Sequence, residues 1–206
     1  MFSNLKKRIS TSILMLILLF LMFINNYLLG YFTFLIALFS LIEFFKINLI
    51  LFKKDKAKQL ISNIIFIIYI FSFFGLFLFL SLFPNLKILI FIILLICIAS
   101  DIGGFIIGRI FKGPKLTKIS PQKTISGSLG SIFLSAITAI ALIYYLTKTF
   151  NPHALIIAIV ISITCQIGDL FFSYLKRKSF LKDTGNFLPG HGGILDRIDG
   201  IIFGLP

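Results

Sequence analysis

The chain has 206 residues, of which 58% are hydrophobic and only 13% charged, a composition that excludes an ordinary water-soluble globular domain. Its net charge of +13 would suit a nucleic-acid-binding protein if the basic residues formed one patch. Instead, 18 of the 20 lie in four short polar segments between apolar stretches, so the charge indicates membrane topology and no nucleic-acid partner is expected.

Six apolar runs, with their flanks, approach or reach the roughly 20 residues that a helix needs to span a bilayer. A short apolar stub follows at residues 201–206. The predicted fold is all-α: a polytopic integral membrane protein of about six transmembrane helices and a C-terminal stub. The predicted helices cover residues 13–25 with flanks, 27–51, 60–83, 86–111, 125–146 and 155–175.

The basic residues predict the orientation of these helices. They precede helix 1 and fill residues 46–58, 109–123 and 176–197, whereas only Lys87 and Lys148 lie in the other loops. Because Lys and Arg are enriched on the cytoplasmic side, the N-terminus and all four basic segments are predicted to be cytoplasmic, in the cell inner (plasma) membrane. No small-residue cleavage site follows the first apolar run, so we expect helix 1 to be retained.

The acidic residues divide the chain by function. Residues 1–98 contain only Glu43 and Asp55, whereas the five remaining aspartates all lie in residues 99–206. We predict one membrane domain, in which 1–98 form helices 1 to 3 and the start of helix 4, and 99–206 form a catalytic region with cytoplasmic loops.

Four residues of apolar helices are given structural roles. Glu43 and Lys46 are three residues apart and are predicted to pair on one helix face. Cys97 and Cys165 both lie inside apolar runs, so they are predicted to be small buried residues rather than parts of a disulfide framework or metal site.

Two aspartates inside predicted helices are expected to be functional, because a carboxylate at a helix centre in a bilayer costs about 2.5 to 3.5 kcal/mol. Asp101 shares a helical face with Gly104 and Gly108, small residues that let a backbone or a substrate approach. Asp169 is predicted to lie at the same depth from the cytoplasmic side. The alternative is that Asp101 pairs with Arg109 or a lysine to hold two helices together.

The loop before helix 5, residues 112–124, carries several lysines and two prolines and leads into a Ser- and Gly-rich helix start. Free backbone N–H groups at such a start, with lysines around them, suit a polyphosphate. No Walker A motif is present. A basic cytoplasmic loop with no ligand is the alternative.

The longest polar segment, residues 173–199, ends in Asp196 and Asp199, which would share a helix face and could bind a cation together or with Asp169. Oxygen ligands of this kind favour Mg²⁺ over zinc. The alternative is a basic amphipathic loop on the membrane surface. His191 is surrounded by three glycines that would let the loop close over phosphates: Gly190, Gly192 and Gly193.

From Ser173 to Asp199 the sequence reads Ser-x-Leu-Lys-Arg-x4-Lys-Asp-x-Gly-x2-Leu-Pro-x-His-Gly-Gly-Ile-x-Asp-Arg-Ile-Asp. It resembles, at every defined position, the signature of the phosphatidate cytidylyltransferases, also called CDP-diacylglycerol synthases. The Ser-Pro-x-Lys-Thr of residues 120–124 also matches that family. Residues 100–103 read Ser-Asp-Ile-Gly where the family usually has Ser-Asp-Thr-Gly, and residues 125–127 read Ile-Ser-Gly where Trp-Glu-Gly is common. The resemblance covers about residues 100–206, and family members usually continue into a further helix.

The resemblance implies transfer of a cytidylyl group from CTP to phosphatidate in phospholipid biosynthesis, giving CDP-diacylglycerol and pyrophosphate. It implies that Asp169, Asp196 and Asp199 hold Mg²⁺, optionally with a monovalent cation, and that Lys123 and Arg197 act beside them. The implied partners are CTP, phosphatidate and the lipid bilayer, and a homodimer is expected. The implied substrate-binding residues are Asp101, Lys118, Ser120, Lys176, Arg177, His191, Gly192 and Gly193.

Three other functions stay open on the sequence. A CTP-dependent polyprenol or phytol kinase would transfer only a phosphoryl group. An ion or proton transporter would use Asp101 and Asp169 as an intramembrane relay. A non-catalytic lipid-binding scaffold would explain the missing carboxylate at Ser126.

Overall fold

The structure is a computed structural model that describes residues 2–117, 119–188 and 192–205, with side chains from residue 10 onward. The regular secondary structure of this part of the chain is helical apart from two isolated β-bridges, which confirms the predicted fold class. Six long helices follow the predicted order: α1 (Phe2–Ile24), α2 (Asn26–Leu51), α3 (Lys56–Ser81), α4 (Pro84–Phe111), α5 (Ile125–Thr147) and α6 (His153–Lys178). Two four-residue helices complete the fold: α7 (Leu195–Ile198) and α8 (Ile201–Gly204).

Five of the helices, α2 to α6, are long and apolar enough to cross a membrane. The apolar part of α1, Ser10–Ile24, is shorter. The chain is therefore a multi-pass membrane protein, as its composition predicts.

Polar side chains fix where several helices begin. Thr124 Oγ1 accepts the N–H of Gly127 at 3.1 Å and caps α5. Asp55 Oδ1 accepts the N–H of Lys58 at 3.1 Å, so α3 starts at Lys56, four residues before the apolar run predicts. Caps of this kind stabilise a helix start by about 1 kcal/mol, which allows the polar residues ahead of an apolar run to be helical.

The chain packs into two compact units, each built from two stretches of sequence. Unit 1 is Met1–Lys87 with Leu175–Ile198, and unit 2 is Ile88–Tyr174 with Asp199–Pro206. The functional division at residue 98 stays a prediction.

In unit 1, polar and aromatic contacts join α2 to α3. The amide of Asn48, only 1% exposed, donates to Ser62 Oγ at 2.8 Å and to Asn63 Oδ1 at 2.7 Å. The rings of Phe44 and Phe66 stack with their centroids 3.6 Å apart. Because lipid is as apolar as these side chains, such packing and hydrogen bonds, rather than the hydrophobic effect, hold the two helices together.

In unit 2, glycines bring the backbones of α4 and α5 into contact. A Cβ added at Gly130 would lie 2.8 Å from the carbonyl oxygen of Gly103, and one at Gly127 would lie 2.9 Å from that of Gly104. Larger residues would force these helices apart. The prediction that Gly104 lets a neighbouring backbone approach is therefore confirmed, and the neighbour is α5.

Hydrogen bonds and buried side chains join α6 to the same pair of helices. Ser100 and Ser162 hydroxyls lie 2.9 Å apart in the interior, and Ser128 Oγ donates to Gln166 Oε1. Cys97 and Cys165 are buried, as predicted, with their sulfur atoms 3.0 Å apart. Unit 2 is thus closed by polar contacts that an apolar helix pattern does not reveal.

Candidate functional site

Lys176 and Asp196 form a nearly buried ion pair in unit 1. Lys176 lies in the last turn of α6 and Asp196 in α7, with Nζ 2.6 Å from Oδ1 and side-chain exposures of 12% and 5%. The other oxygen, Oδ2, accepts the backbone N–H groups of Thr184 at 2.8 Å and Gly193 at 3.0 Å. We call these four residues the Asp196 cluster. One cation and two backbone donors therefore fix the orientation of the carboxylate.

The surroundings of Asp196 set its charge state. Burial raises the pKa of the Asp196 carboxyl, but the hydrogen bond and positive charge of Lys176, with the N–H groups of Gly193 and Thr184, outweigh it and hold the pKa below its ordinary value. Asp196 is consequently an anion at neutral pH, in spite of its burial.

The backbone conformation of Gly192 and its nearness to Asp196 explain why position 192 is a glycine. Its φ is +84°, a backbone conformation that side-chain-bearing residues rarely adopt. A Cβ added there would lie 3.0 Å from Asp196 Oδ2. The N–H of Leu188 donates to the Gly192 carbonyl at 2.9 Å, and residues 189–191 between them lie outside the described residues. Gly192 therefore gives the Asp196 carboxylate its space, whereas closure over substrates stays a prediction.

Asp169 and Lys123 form a second ion pair, in unit 2. Asp169 Oδ2 contacts Lys123 Nζ, and the side chains are 34% and 25% exposed. One helical turn further along α6, Ser173 Oγ donates to Asp169 Oδ1 at 3.4 Å. We call these three residues the Asp169 cluster. It is more open to solvent than the Asp196 cluster and contains no backbone donor to its carboxylate among the described residues.

The loop before α5 places Lys123. The N–H of Leu116 donates to the Lys123 carbonyl at 2.8 Å, and the N–H of Ile125 donates to the Pro114 carbonyl at 2.9 Å, so the loop closes on itself directly before the helix. A turn with the Lys123 N–H bonded to the Ser120 carbonyl at 3.0 Å completes it. The Ser-Pro-x-Lys-Thr sequence thus folds into a turn that presents Lys123 to Asp169.

Asp101 lies in the second half of α4 and is exposed. The guanidinium of Arg109 lies 4.5 Å from the ring centroid of Phe105. The alternative in which Asp101 pairs with Arg109 or a lysine to hold two helices together stays open. The substrate-binding role of Asp101 stays a prediction.

The remaining predicted residues lie near the C-terminal helices or outside the described residues. Arg177 and Arg197 are exposed at α6 and α7. Buried Asp199 directly follows α7, which ends at Ile198, and the shared helix face of Asp196 and Asp199 stays a prediction. The turn is fixed by Asp199 Oδ1, which accepts the Gly200 N–H at 2.9 Å. Two predicted residues fall outside the described part of the chain: Lys118 and His191.

The family of the chain follows from a match over nearly its whole length. A model described as the cytidylyltransferase family matches residues 2–206. The chain belongs to the cytidylyltransferase family. The match includes helices α1 to α3, where the sequence resemblance rests on hydrophobicity alone.

Among the relatives of this chain are three proteins named phosphatidate cytidylyltransferase. The chain is 41% identical over 109 residues to that of Staphylococcus aureus (strain COL), 43% over 109 residues to that of Staphylococcus haemolyticus (strain JCSC1435), and 40% over 113 residues to that of Helicobacter pylori (strain ATCC 700392 / 26695). The matched stretch covers 52% to 54% of this chain and 42% of each relative, so it spans less than half of the length of these relatives.

The family resemblance implies a magnesium ion. Carboxylate oxygens are the donors that Mg²⁺ prefers. As placed, however, no group of three or more His, Cys, Asp or Glu residues among the described positions could hold a metal ion. The oxygens of Asp169 and Asp196 are instead engaged by lysines. The three-aspartate magnesium site therefore stays a prediction.

Glu43 is a buried polar residue whose contacts cannot be predicted from helix spacing alone. It is fully buried, and its carboxylate accepts hydrogen bonds from the C-terminal loop of unit 1. Lys46 instead places Nζ 5.8 Å from the ring centroid of Phe187, so the predicted Glu43–Lys46 pair is wrong. The signal was present: an acid inside the apolar run 27–51 carries the same cost that singled out Asp101.

Proposed function

We propose that this cytidylyltransferase transfers a cytidylyl group from CTP to phosphatidate, giving CDP-diacylglycerol and pyrophosphate. The observation that carries the proposal is that the segment with the family signature folds into the Asp196 cluster, a buried anion held against a cation. The names of the three relatives support the same substrate pair.

The reaction needs charge balance more than it needs a side-chain nucleophile. A phosphate oxygen of phosphatidate, already anionic at neutral pH, forms the new bond to the α-phosphorus of CTP. The bond from that phosphorus to the oxygen bridging the β-phosphate breaks, and pyrophosphate leaves with the electron pair. Bringing two anions together and stabilising the charge on the leaving group are the tasks left to the protein.

Basic residues near the two clusters are suited to those tasks. We assign phosphate contacts to Lys123 and Lys176, whose orientation Asp169 and Asp196 fix, and to exposed Arg177 and Arg197. A lysine already oriented by a carboxylate loses less side-chain freedom on binding a phosphate. The remaining substrate-binding assignments stay predictions: Asp101, Lys118, Ser120, His191, Gly192 and Gly193.

Magnesium dependence is part of the proposal, with Asp169, Asp196 and Asp199 as the ligands expected from the sequence. When bound, Mg²⁺ neutralises phosphate charge and polarises the phosphoryl group. Removal of divalent ions with EDTA is expected to stop turnover, and added Mg²⁺ is expected to restore it. Full activity in EDTA would contradict this assignment.

The membrane orientation and assembly also stay proposals. The distribution of basic residues supports a cytoplasmic location for the polar loops, in the cell inner membrane. A cysteine placed at Lys182 on a background without Cys97 and Cys165 should react with an impermeant maleimide only in inside-out vesicles. The detergent-corrected mass of the purified protein tests the expected homodimer.

Incubation of purified protein with phosphatidate and CTP labelled at the α-phosphate tests the reaction. Labelled CDP-diacylglycerol and released pyrophosphate are expected, and Asp196→Asn should abolish both. Asp55→Asn is the matched control, because Asp55 is a half-exposed aspartate of unit 1 that caps α3 and pairs with Lys58. Release of CDP with a phosphorylated polyprenol would indicate a kinase. Ion flux without CTP would indicate a transporter, and lipid binding without turnover would indicate a scaffold.

A further inference from the structure

One face of α2 carries the described parts of segment 184–195. Phe39, Glu43 and Lys46 are spaced four and three residues apart, which places them on the same side of the helix. The ring centroids of Phe187 and Phe39 lie 4.5 Å apart. Lys46 Nζ lies over the same Phe187 ring, 5.8 Å from its centroid. Glu43 therefore sits between two contacts to this segment.

Both carboxylate oxygens of Glu43 are used. Oε2 accepts the Thr184 hydroxyl at 2.7 Å and the N–H of Leu195 at 2.8 Å, and Oε1 accepts the N–H of Ile194 at 3.0 Å. Glu43 is 0% exposed and Thr184 is 4% exposed. These are local contacts in space between residues more than 140 positions apart in the sequence.

The donors to Glu43 are tied to the donors to Asp196. Thr184 bonds Glu43 through its hydroxyl and Asp196 through its backbone N–H. Gly193 donates its N–H to Asp196, and the next residue, Ile194, donates its N–H to Glu43. Each backbone donor that orients Asp196 is consequently anchored, directly or through its neighbour, by Glu43.

We propose that Glu43 is a positioning residue for Asp196. Its buried carboxylate holds Thr184, Ile194 and Leu195 on α2 and so fixes the two N–H groups that orient the Asp196 carboxylate. Glu43 is fully buried and acts through these three residues. The inference rests on the proposed function for its kinetic consequence, but the anchoring itself is independent of which reaction the protein performs.

Loss of the carboxylate leaves buried donors without an acceptor and frees the segment. In Glu43→Gln the side-chain NH₂ group replaces one acceptor and faces an N–H or O–H donor. Asp196 keeps Lys176 and its charge but loses its fixed orientation. Because a misplacement of about 1 Å can cost about 10²-fold in rate, kcat should fall by up to that factor, with a much smaller change in KM for CTP.

Four variants of the full chain in detergent test the proposal, with steady-state kinetics and amide hydrogen exchange of peptides covering 184–195. Glu43→Gln removes the anchor, and Thr184→Val removes one donor while keeping the backbone N–H. Thr184→Ser keeps the hydroxyl. Asn48→Leu is the matched control, because Asn48 is equally buried in α2 but bonds α3.

Glu43→Gln and Thr184→Val are expected to lower kcat and to speed exchange in 184–195, while Thr184→Ser and Asn48→Leu resemble wild type in both. Unchanged exchange in Glu43→Gln, or an equal effect of Asn48→Leu, would overturn the proposal. If Glu43→Gln fails to fold, Thr184→Val decides the matter alone. Absence of CDP-diacylglycerol in wild type would defeat the proposed function, whereas exchange would still decide whether Glu43 anchors the segment.

Discussion

The two described lysine–aspartate pairs of the site are alike in composition and differ in burial. The side chains of Lys176 and Asp196 are 12% and 5% exposed, and two backbone N–H groups hold the aspartate. The side chains of Lys123 and Asp169 are 25% and 34% exposed, and a serine at 3.4 Å is the further described donor to Asp169. The Lys176–Asp196 pair is nearly buried, whereas the Lys123–Asp169 pair is partly exposed to solvent.

The difference separates two uses of the same ion pair. A buried pair with backbone donors keeps one geometry, because breaking it leaves a charge without compensation. A half-exposed pair can be broken at little cost, because water replaces the lost partner. We therefore expect the Asp196 cluster to act as a fixed element and Lys123 to be free to exchange Asp169 for a phosphate.

Lys176→Met should show the largest effect on stability. It leaves Asp196 charged and buried without its cation, which costs about 3 to 5 kcal/mol for a buried pair. The free energy of unfolding, followed by circular dichroism during SDS titration in mixed micelles, should fall by that amount. A loss below about 1 kcal/mol would mean that the pair behaves as an exposed one.

Gly130→Ala should show an intermediate effect, in unit 2. The added Cβ would meet Ile107 and the Gly103 carbonyl, and forcing a group into a packed interface costs about 1 to 3 kcal/mol. Gly75→Ala in α3 is the control, because a Cβ there has no neighbour within 4 Å. Equal losses in the two variants, by the same titration, would show that backbone contact between α4 and α5 is not what Gly130 provides.

The pH dependence of stability should sharpen the contrast. The folded-state pKa of Asp196 lies below its ordinary value of about 3.9, so ionised Asp196 stabilises the fold above that value and the stabilisation is lost as pH falls through the folded-state pKa. The difference in unfolding free energy between wild type and Asp196→Asn should stay constant from about pH 7 to pH 5 and shrink only below about pH 4. A decline that begins near pH 6 would rule out the depressed pKa.

Lys123→Met should show the smallest effect on stability, about 0 to 1 kcal/mol, because its pair is partly solvated and screened by salt. Its effect on turnover should nevertheless be large if Lys123 contacts a phosphate. A thermal unfolding scan beside the CDP-diacylglycerol assay separates the two. Unchanged turnover would remove Lys123 from the site.

The helices could be predicted from the sequence because each apolar run is long and uninterrupted. Their ends could not be predicted in the same way: α3 begins at Lys56 because the side chain of Asp55 caps it, a local contact that a hydropathy pattern does not contain. The site predicted in the signature segment stays a prediction, although Lys176 and Asp196 of this segment do form an ion pair.

The partners of the charged residues could not be predicted. Many lysines could have reached Asp169 and Asp196, and the choice of Lys123 and Lys176 depends on a closed loop and on the length of α6. Helix spacing predicts a pair between Glu43 and Lys46, because it considers only residues that are close in the sequence. The real partners of Glu43 come from a distant segment that only the folded chain brings to α2.

The burial of Glu43 also ties the side-chain sizes at three positions to one another. Its carboxylate fills the room that a Cβ would need at Gly185 and at Gly193. An alanine at either position would collide with the glutamate, and a shorter residue at position 43 would leave a hole that the glycines cannot fill. Anyone redesigning this loop must therefore treat the glutamate and the two glycines as a single interlocking shape, to be exchanged together or not at all.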